Sequence, residues 1–119
     1  MKLAITAERP ELDSRVDPRF GRAAYFIVFD TDTGQWAAHD NAHNLNAPSG
    51  AGIQAARNVV DLGAAAVATG HVGPKAYSAL QAGNVAVFLV GEETVAECVE
   101  KFKADRLTPA ESADVAGHW

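Results

Sequence analysis

Ser49-Gly50-Ala51-Gly52-Ile53-Gln54-Ala55-Ala56-Arg57 is the stretch from which the rest of the chain can be read. Small residues open directly into a helical pattern. Gln54, Arg57, Asn58 and Asp61 recur at i, i+3, i+4 and i+7 as a polar stripe, while Ile53, Ala56, Val59, Val60 and Leu62 cover the other side. Ser49 is the expected N-cap and Gly63 the expected stop. Glycines at such a start leave backbone N–H groups uncovered, and the helix dipole draws anions towards them. Taken alone, the stretch describes a capped helix as well as it describes an anion site. A second glycine- and proline-rich helix start further on, Gly70-His71-Val72-Gly73-Pro74-Lys75, makes it a pattern.

Working outward, strands and helices alternate. Ala65–Thr69 reads as a short buried strand. Pro74 fits the first position of a second helix running to Gln81, with Ala76, Tyr77 and Leu80 facing in. Gly83-Asn84 stops it, and Val85–Val90 is an apolar strand. Glu92-Glu93-Thr94 opens a third helix with acidic residues expected in its first turn, where the dipole favours them. Val95, Cys98, Val99 and Phe102 mark its buried face. Upstream, Lys2–Ala7 is a first strand with Leu3 and Ile5 on one face. The polar loop Glu8–Ala23 carries Arg15, Arg19 and Arg22, and Tyr25–Phe29 is a strand buried on both faces. Asp30–Gly34 turns the chain into a hairpin arm, Gln35–Asp40, and Asn41–Pro48 leads to the first helix. Leu107–Trp119 lacks periodicity and reads as a loose tail, so the chain divides into a domain, 1–107, and a tail, 108–119.

The order β-β-β-α-β-α-β-α predicts an α/β fold with a five-stranded mixed sheet flanked by helices. Antiparallel hairpins join the first three strands, and right-handed crossovers add two parallel ones. Strands one, three, four and five then point the same way. The arginine-rich loop, the loop before Ser49, the Gly70–Pro74 turn and the Gly91–Glu93 turn would gather at one sheet edge, where open α/β sheets bind ligands.

Composition narrows the functions. At 119 residues the chain suits one domain with a real core, and no apolar run is long enough to span a bilayer. Met1–Thr6 is too short and too quickly polar for a signal peptide. One cysteine excludes an internal disulfide and a multi-cysteine metal site within one chain, and suits a cytoplasmic setting. A net charge of −5 argues against a nucleic-acid binder that neutralises phosphates. No membrane or nucleic-acid partner is expected. There is no P-loop, and no Ser/His/Asp or Cys/His arrangement.

Three blocks now carry a resemblance. Ser14-Arg15-Val16-Asp17-Pro18-Arg19-Phe20-Gly21-Arg22-Ala23-Ala24-Tyr25-Phe26 resembles the S-x-V-x-x-x-F-G-R-x-x-x-F opening of the dinitrogenase iron–molybdenum cofactor biosynthesis family. Gly50–Ala56 resembles its G-A-G-I-Q-A-A block, and Thr69–Ala76 its T-G-x-x-G-P-x-A block. As a small single-domain chain it is most similar to the family's orange-protein branch. The resemblance implies a ribonuclease H-like fold and non-covalent binding of an anionic metal–sulfur cluster; with no catalytic arrangement in the sequence, a binding protein and not an enzyme is expected. In that branch the cluster is a molybdenum–copper sulfide; in the wider family it is iron–molybdenum cofactor or a precursor. Cluster-assembly proteins or ATPases are the implied partners.

The blocks nominate Ser14, Arg19, Phe20, Gly21 and Arg22, then Ser49, Gly50, Ala51 and Gly52, then Gly70, His71, Val72, Gly73 and Pro74 as cluster-binding residues. Backbone N–H groups at 49–52 and 72–73, with Arg19 and Arg22, would hold a soft polyanion through charge-assisted hydrogen bonds. Both arginines can instead pair with Glu11, Asp13 or Asp17. Phe20 either closes the pocket or anchors the loop. His71 and His43 are the candidate metal ligands, with His39 a further member of a soft-metal cluster or a solvated side chain. His118 lies in the tail. Cys98 reads as a core thiol. A nuclease of ribonuclease H-like fold needs strand carboxylates for two metals, and the first strand offers Leu3, Ala4, Ile5 and Thr6 instead.

Overall fold

β1 (Lys2–Ala7) is the middle strand of the sheet, and its alternation sets up both faces of the molecule. Leu3, Ile5 and Ala7 point into one core cluster and Ala4 into the other, all fully buried. In the computed structural model, which describes residues 1–41 and 50–115, the remaining elements follow in the expected order. These are β2 (Tyr25–Asp30), β3 (Trp36–Asp40), α1 (Ala51–Asp61), β4 (Ala66–Thr69), α2 (Pro74–Ala82), β5 (Ala86–Leu89) and α3 (Val95–Lys103).

The sheet order is β3-β2-β1-β4-β5. β1 pairs antiparallel with β2 and parallel with β4, β2 pairs antiparallel with β3, and β4 parallel with β5. β1, β3, β4 and β5 therefore run the same way, as the sequence predicts. Ala55, Ala56 and Val59 of α1 and Ala76 and Leu80 of α2 share one core with Phe26, Val28, Val67 and Val87. Val95, Cys98 and Val99 of α3 share the other with Ile27, Ala66 and Ala68. The result is three layers, two helices on one face and one on the other.

Four expectations are corrected at this level. First, α1 takes its N-cap from Gly50 at φ 76°, with no side-chain cap among the described residues. Glycine holds that left-handed backbone without strain, so the helix enters on Gly50. Ser49 and His43 lie outside the described residues, as does His118. Second, the buried stripe of α1 is Ala51, Ala55, Ala56 and Val59, with Ile53 only half-buried. Small residues win because α1 packs close to α2: a Cβ on Gly52 would sit 3.1 Å from that of Ala76. The stop at Gly63 is as predicted, with φ 80° and the Gly63 and Ala64 amides donating back to Val60 and Val59.

Third, the acidic residue in the first turn of α3 is Glu97, not Glu92 or Glu93, which precede the cap. Thr94 caps the helix and Glu97 returns the bond to the Thr94 amide, a complete capping box. Fourth, residues 107–114 are not loose. The Ala110 amide donates to the Val87 carbonyl at 2.7 Å, Pro109 bridges Phe88, and Tyr77 donates to the Ala110 carbonyl. These partners lie far back in the chain, so no local periodicity could announce them.

Candidate functional site

The loop after β1 is built into the sheet edge from below. Thr6 and Thr69, at the C-terminal ends of β1 and β4, are both fully buried, and their hydroxyls lie 2.9 Å apart. Each hydroxyl has one proton, so Thr69 donates to Thr6 and Thr6 donates to the Asp17 carbonyl at 2.7 Å. The Asp17 amide returns a bond to the Thr6 carbonyl. The Asp17 carboxylate is buried too and accepts from the Arg19 amide at 3.1 Å, with the Arg19 guanidinium 3.8 Å away. Burial pushes its pKa above the ordinary aspartate value, against the Arg19 amide and charge, which pull it down.

Ser14 belongs to this framework and not to a ligand surface. It is fully buried, its hydroxyl accepts from the Arg9 amide and donates to the Arg15 carbonyl, and its own carbonyl takes the Val95 amide. Phe20 is likewise an anchor: it is buried in the core beneath α1 and α2, with its ring 5.6 Å from Phe26. A buried side chain of either kind cannot reach a bound cluster, which corrects both assignments.

The three sequence blocks touch one another through glycines. A Cβ on Gly21 would lie 2.8 Å from the Gly52 nitrogen, and one on Gly70 would lie 2.6 Å from Pro18 Cα. Both neighbours are backbone and cannot give way, so the first block packs on the second and the third on the first only because glycine stands there. Arg19 and His71 form a parallel bridge beside these contacts, and the Phe20 amide donates to the His71 carbonyl.

Three helix starts meet this edge in three different states. At α1, Gly50 is exposed and no described side chain caps the first turn, whose amides have no acceptor within the helix. At α3, the capping box closes the end. At α2, Gly73 provides no side-chain cap, but the preceding Val72 amide donates to Asp114 Oδ1 at 2.8 Å. Asp114 Oδ2 lies 2.8 Å from His71 Nδ1, and the Asp114 amide donates to the Val72 carbonyl at 3.2 Å. The Val72 amide, expected to hold a ligand, is thus held by the chain itself; its side chain is fully buried. Gly73 is buried, and Pro74 is exposed at the first helical position.

A cavity of about 260 Å³ lies between the loops after β1, β4 and β5, and Glu8, Arg15, Pro18, His71 and Glu92 are in its lining. Arg15 and Asp114 are the residues that sequence reasoning passed over. Arg15 has a local signal, since it is the outward residue between buried Ser14 and Val16. Asp114 has none, being 43 residues from its partner. Of the predicted histidine cluster, His39 and His71 line different grooves, and His43 lies outside the described residues. His39 sits within β3 opposite Phe26 and lines a different groove with Lys2 and Trp36, because the strand register places it there. Among the described residues no group of three or more His, Cys, Asp or Glu is arranged to hold a metal ion. Cys98 is fully buried, and desolvation with the Glu93 charge pushes its thiol up to about 12, so it stays protonated. The donors on offer are amides and guanidinium groups, which suit outer-sphere capture of an anion.

Comparison with known proteins gives consistent results. The family model described as dinitrogenase iron-molybdenum cofactor matches residues 1–105. The apo form of the orange protein from Desulfovibrio gigas is 42% identical, with 96% of each chain covered and a TM-score of 0.93. A Thermotoga protein of the DUF35 family, solved by NMR, is 29% identical over 98% of each chain, with a TM-score of 0.84. An uncharacterised protein of Methanocaldococcus jannaschii is 26% identical over 109 residues, 90% of this chain and 89% of the relative.

Proposed function

Because the chain belongs to the dinitrogenase iron–molybdenum cofactor family, we propose that it binds an anionic molybdenum-containing metal–sulfur cluster as cargo. The cluster docks at the loop edge of the sheet, as a molybdenum–copper sulfide or as an iron–molybdenum cofactor precursor. The observation that carries this reading is the start of α1, which no described side chain caps, packed by Gly52 against Gly21 in the arginine-bearing loop. The Ala51 and Gly52 amides, with Arg22 and Arg19 from the neighbouring block, supply hydrogen bonds and positive charge to sulfide and oxide ligands. Arg15 and His71 extend the same surface into the cavity. The protein is a carrier and not an enzyme: β1 has no carboxylate for the two-metal chemistry of a ribonuclease H-like nuclease. It works in the cytoplasm, exchanging cargo with cluster-assembly proteins or ATPases. No described helix is long and apolar enough to cross a membrane.

The test is an anaerobic titration of apo-protein with tetrathiomolybdate, with and without copper(I), followed by desalting and metal counting. A stoichiometric charge-transfer band that survives desalting, weakened about tenfold in Arg22→Gln, is the expected result. Metal lost on desalting under both conditions overturns the carrier reading. A second reading, a scaffold domain that binds a protein partner or a simple anion, draws support from Glu8 and Glu92 beside Arg15. That mixed charge suits a polar partner better than a polyanion, and retention of phosphate but not thiomolybdate would favour it.

A further inference from the structure

We propose that the C-terminal segment is a strap whose Asp114 carboxylate occupies the cargo's hydrogen-bond donors in the apo protein and is displaced on loading. The inference rests on the carrier reading above and adds its regulation. Asp114 is bound as a ligand anion would be, with one oxygen on a backbone amide and the other on a ring nitrogen. A donor N–H serves one strong acceptor, so an anion that reaches the Val72 amide must take the position of Asp114. An approaching polyanion also meets the carboxylate's own charge.

Among the described residues, the segment is fixed in the core at Ala110 and by hydrogen bonds at Asp114. Ala110 is fixed by the Val87 carbonyl and the Tyr77 hydroxyl, and packs against the core. Beyond it Glu111 and Ser112 are exposed. Asp114 can therefore swing away while Ala110 stays. The donors stay as well, because the His71 carbonyl is held by the Phe20 amide and its backbone bridges Arg19. The apo protein thus keeps these donors satisfied without cargo, and its apparent affinity is reduced by the fraction of molecules with the strap closed.

The experiment compares wild type, Asp114→Asn and Asp114→Ala in the tetrathiomolybdate titration with copper(I), after circular dichroism has confirmed that each is folded. Asp114→Ala is expected to bind roughly tenfold more tightly, and Asp114→Asn, which keeps an acceptor for the Val72 amide, to fall between. In wild type, loading should accelerate hydrogen exchange at the Asp114 amide and leave the Ala110 amide protected. Equal or weaker binding by Asp114→Ala, with Asp114 protection unchanged on loading, overturns the strap and leaves the carrier reading intact; Asp114 then merely positions His71. Binding by the alanine variant alone supports both inferences. Failure of all three proteins to bind overturns both.

Discussion

The starts of α3 and α1 lie at the same edge of the same sheet and are finished in opposite ways. α3 carries its own stopper: Thr94 and Glu97 answer each other's amides within one turn. α1 begins on a left-handed glycine with no described side chain over its first amides, and its neighbour Gly21 is pressed so tightly against the Gly52 backbone that Gly21 could not carry a side chain. The closed end needs nothing further. The open end leaves its first amides without a partner inside the helix, and on the carrier reading proposed above that difference is what the cargo uses.

The comparison can be broken most severely from below. Phe20→Ala removes the ring that anchors the arginine loop in the core and should cost about 3–5 kcal/mol, read as a lower denaturant midpoint. Loss of cargo binding is expected to accompany it. Gly21→Ala drives a methyl into the Gly52 backbone and should cost about 1–3 kcal/mol. Its cargo affinity should fall by more than its stability, because the α1 amides themselves are displaced; an unchanged affinity would separate the glycine contact from the site. Thr94→Ala uncaps the closed end, with an expected loss of about 1 kcal/mol and no change in cargo affinity.

The smallest effects are the most diagnostic, since the α3 cap and the buried base of the arginine loop should differ in sign with pH. Hydrogen bonds from Thr94 hold the Glu97 carboxyl below its ordinary value. Its contribution is present above the unfolded glutamate pKa and is lost as pH falls through the folded one, so the stability advantage of wild type over Glu97→Gln should shrink in acid. Burial raises the Asp17 carboxyl. Its contribution is present below the unfolded aspartate pKa and is lost as pH rises through the folded one, so Asp17→Asn should gain on wild type from acid towards neutral pH. Denaturant midpoints measured across that range check both slopes.

The sheet and its helices were legible because their signals are local and periodic. The apolar runs of β2, β4 and β5, Pro74 at a helix start and Gly63 at a helix stop each state their structure within a few residues. The convergence of loops followed from strand direction alone. What could not be read was which side chains face outward in an irregular loop: Ser14 and Phe20 look like ligand contacts in a motif and are framework in space. Nor could the Asp114 contact be read, since a segment without periodicity gives no hint of pairing across 43 residues.

The strip of chain that follows α3 has an effect beyond the site. By lying along β5 with Pro109 at the bridge, it covers that margin of the sheet with a residue that has no N–H to offer a newcomer. At the other margin, β3 presents Trp36 at 41% exposure and no further strand among the described residues. The two margins of the sheet are therefore finished differently: β5 is covered by the chain's own C-terminal strip, whereas β3 is the outermost strand among the described residues.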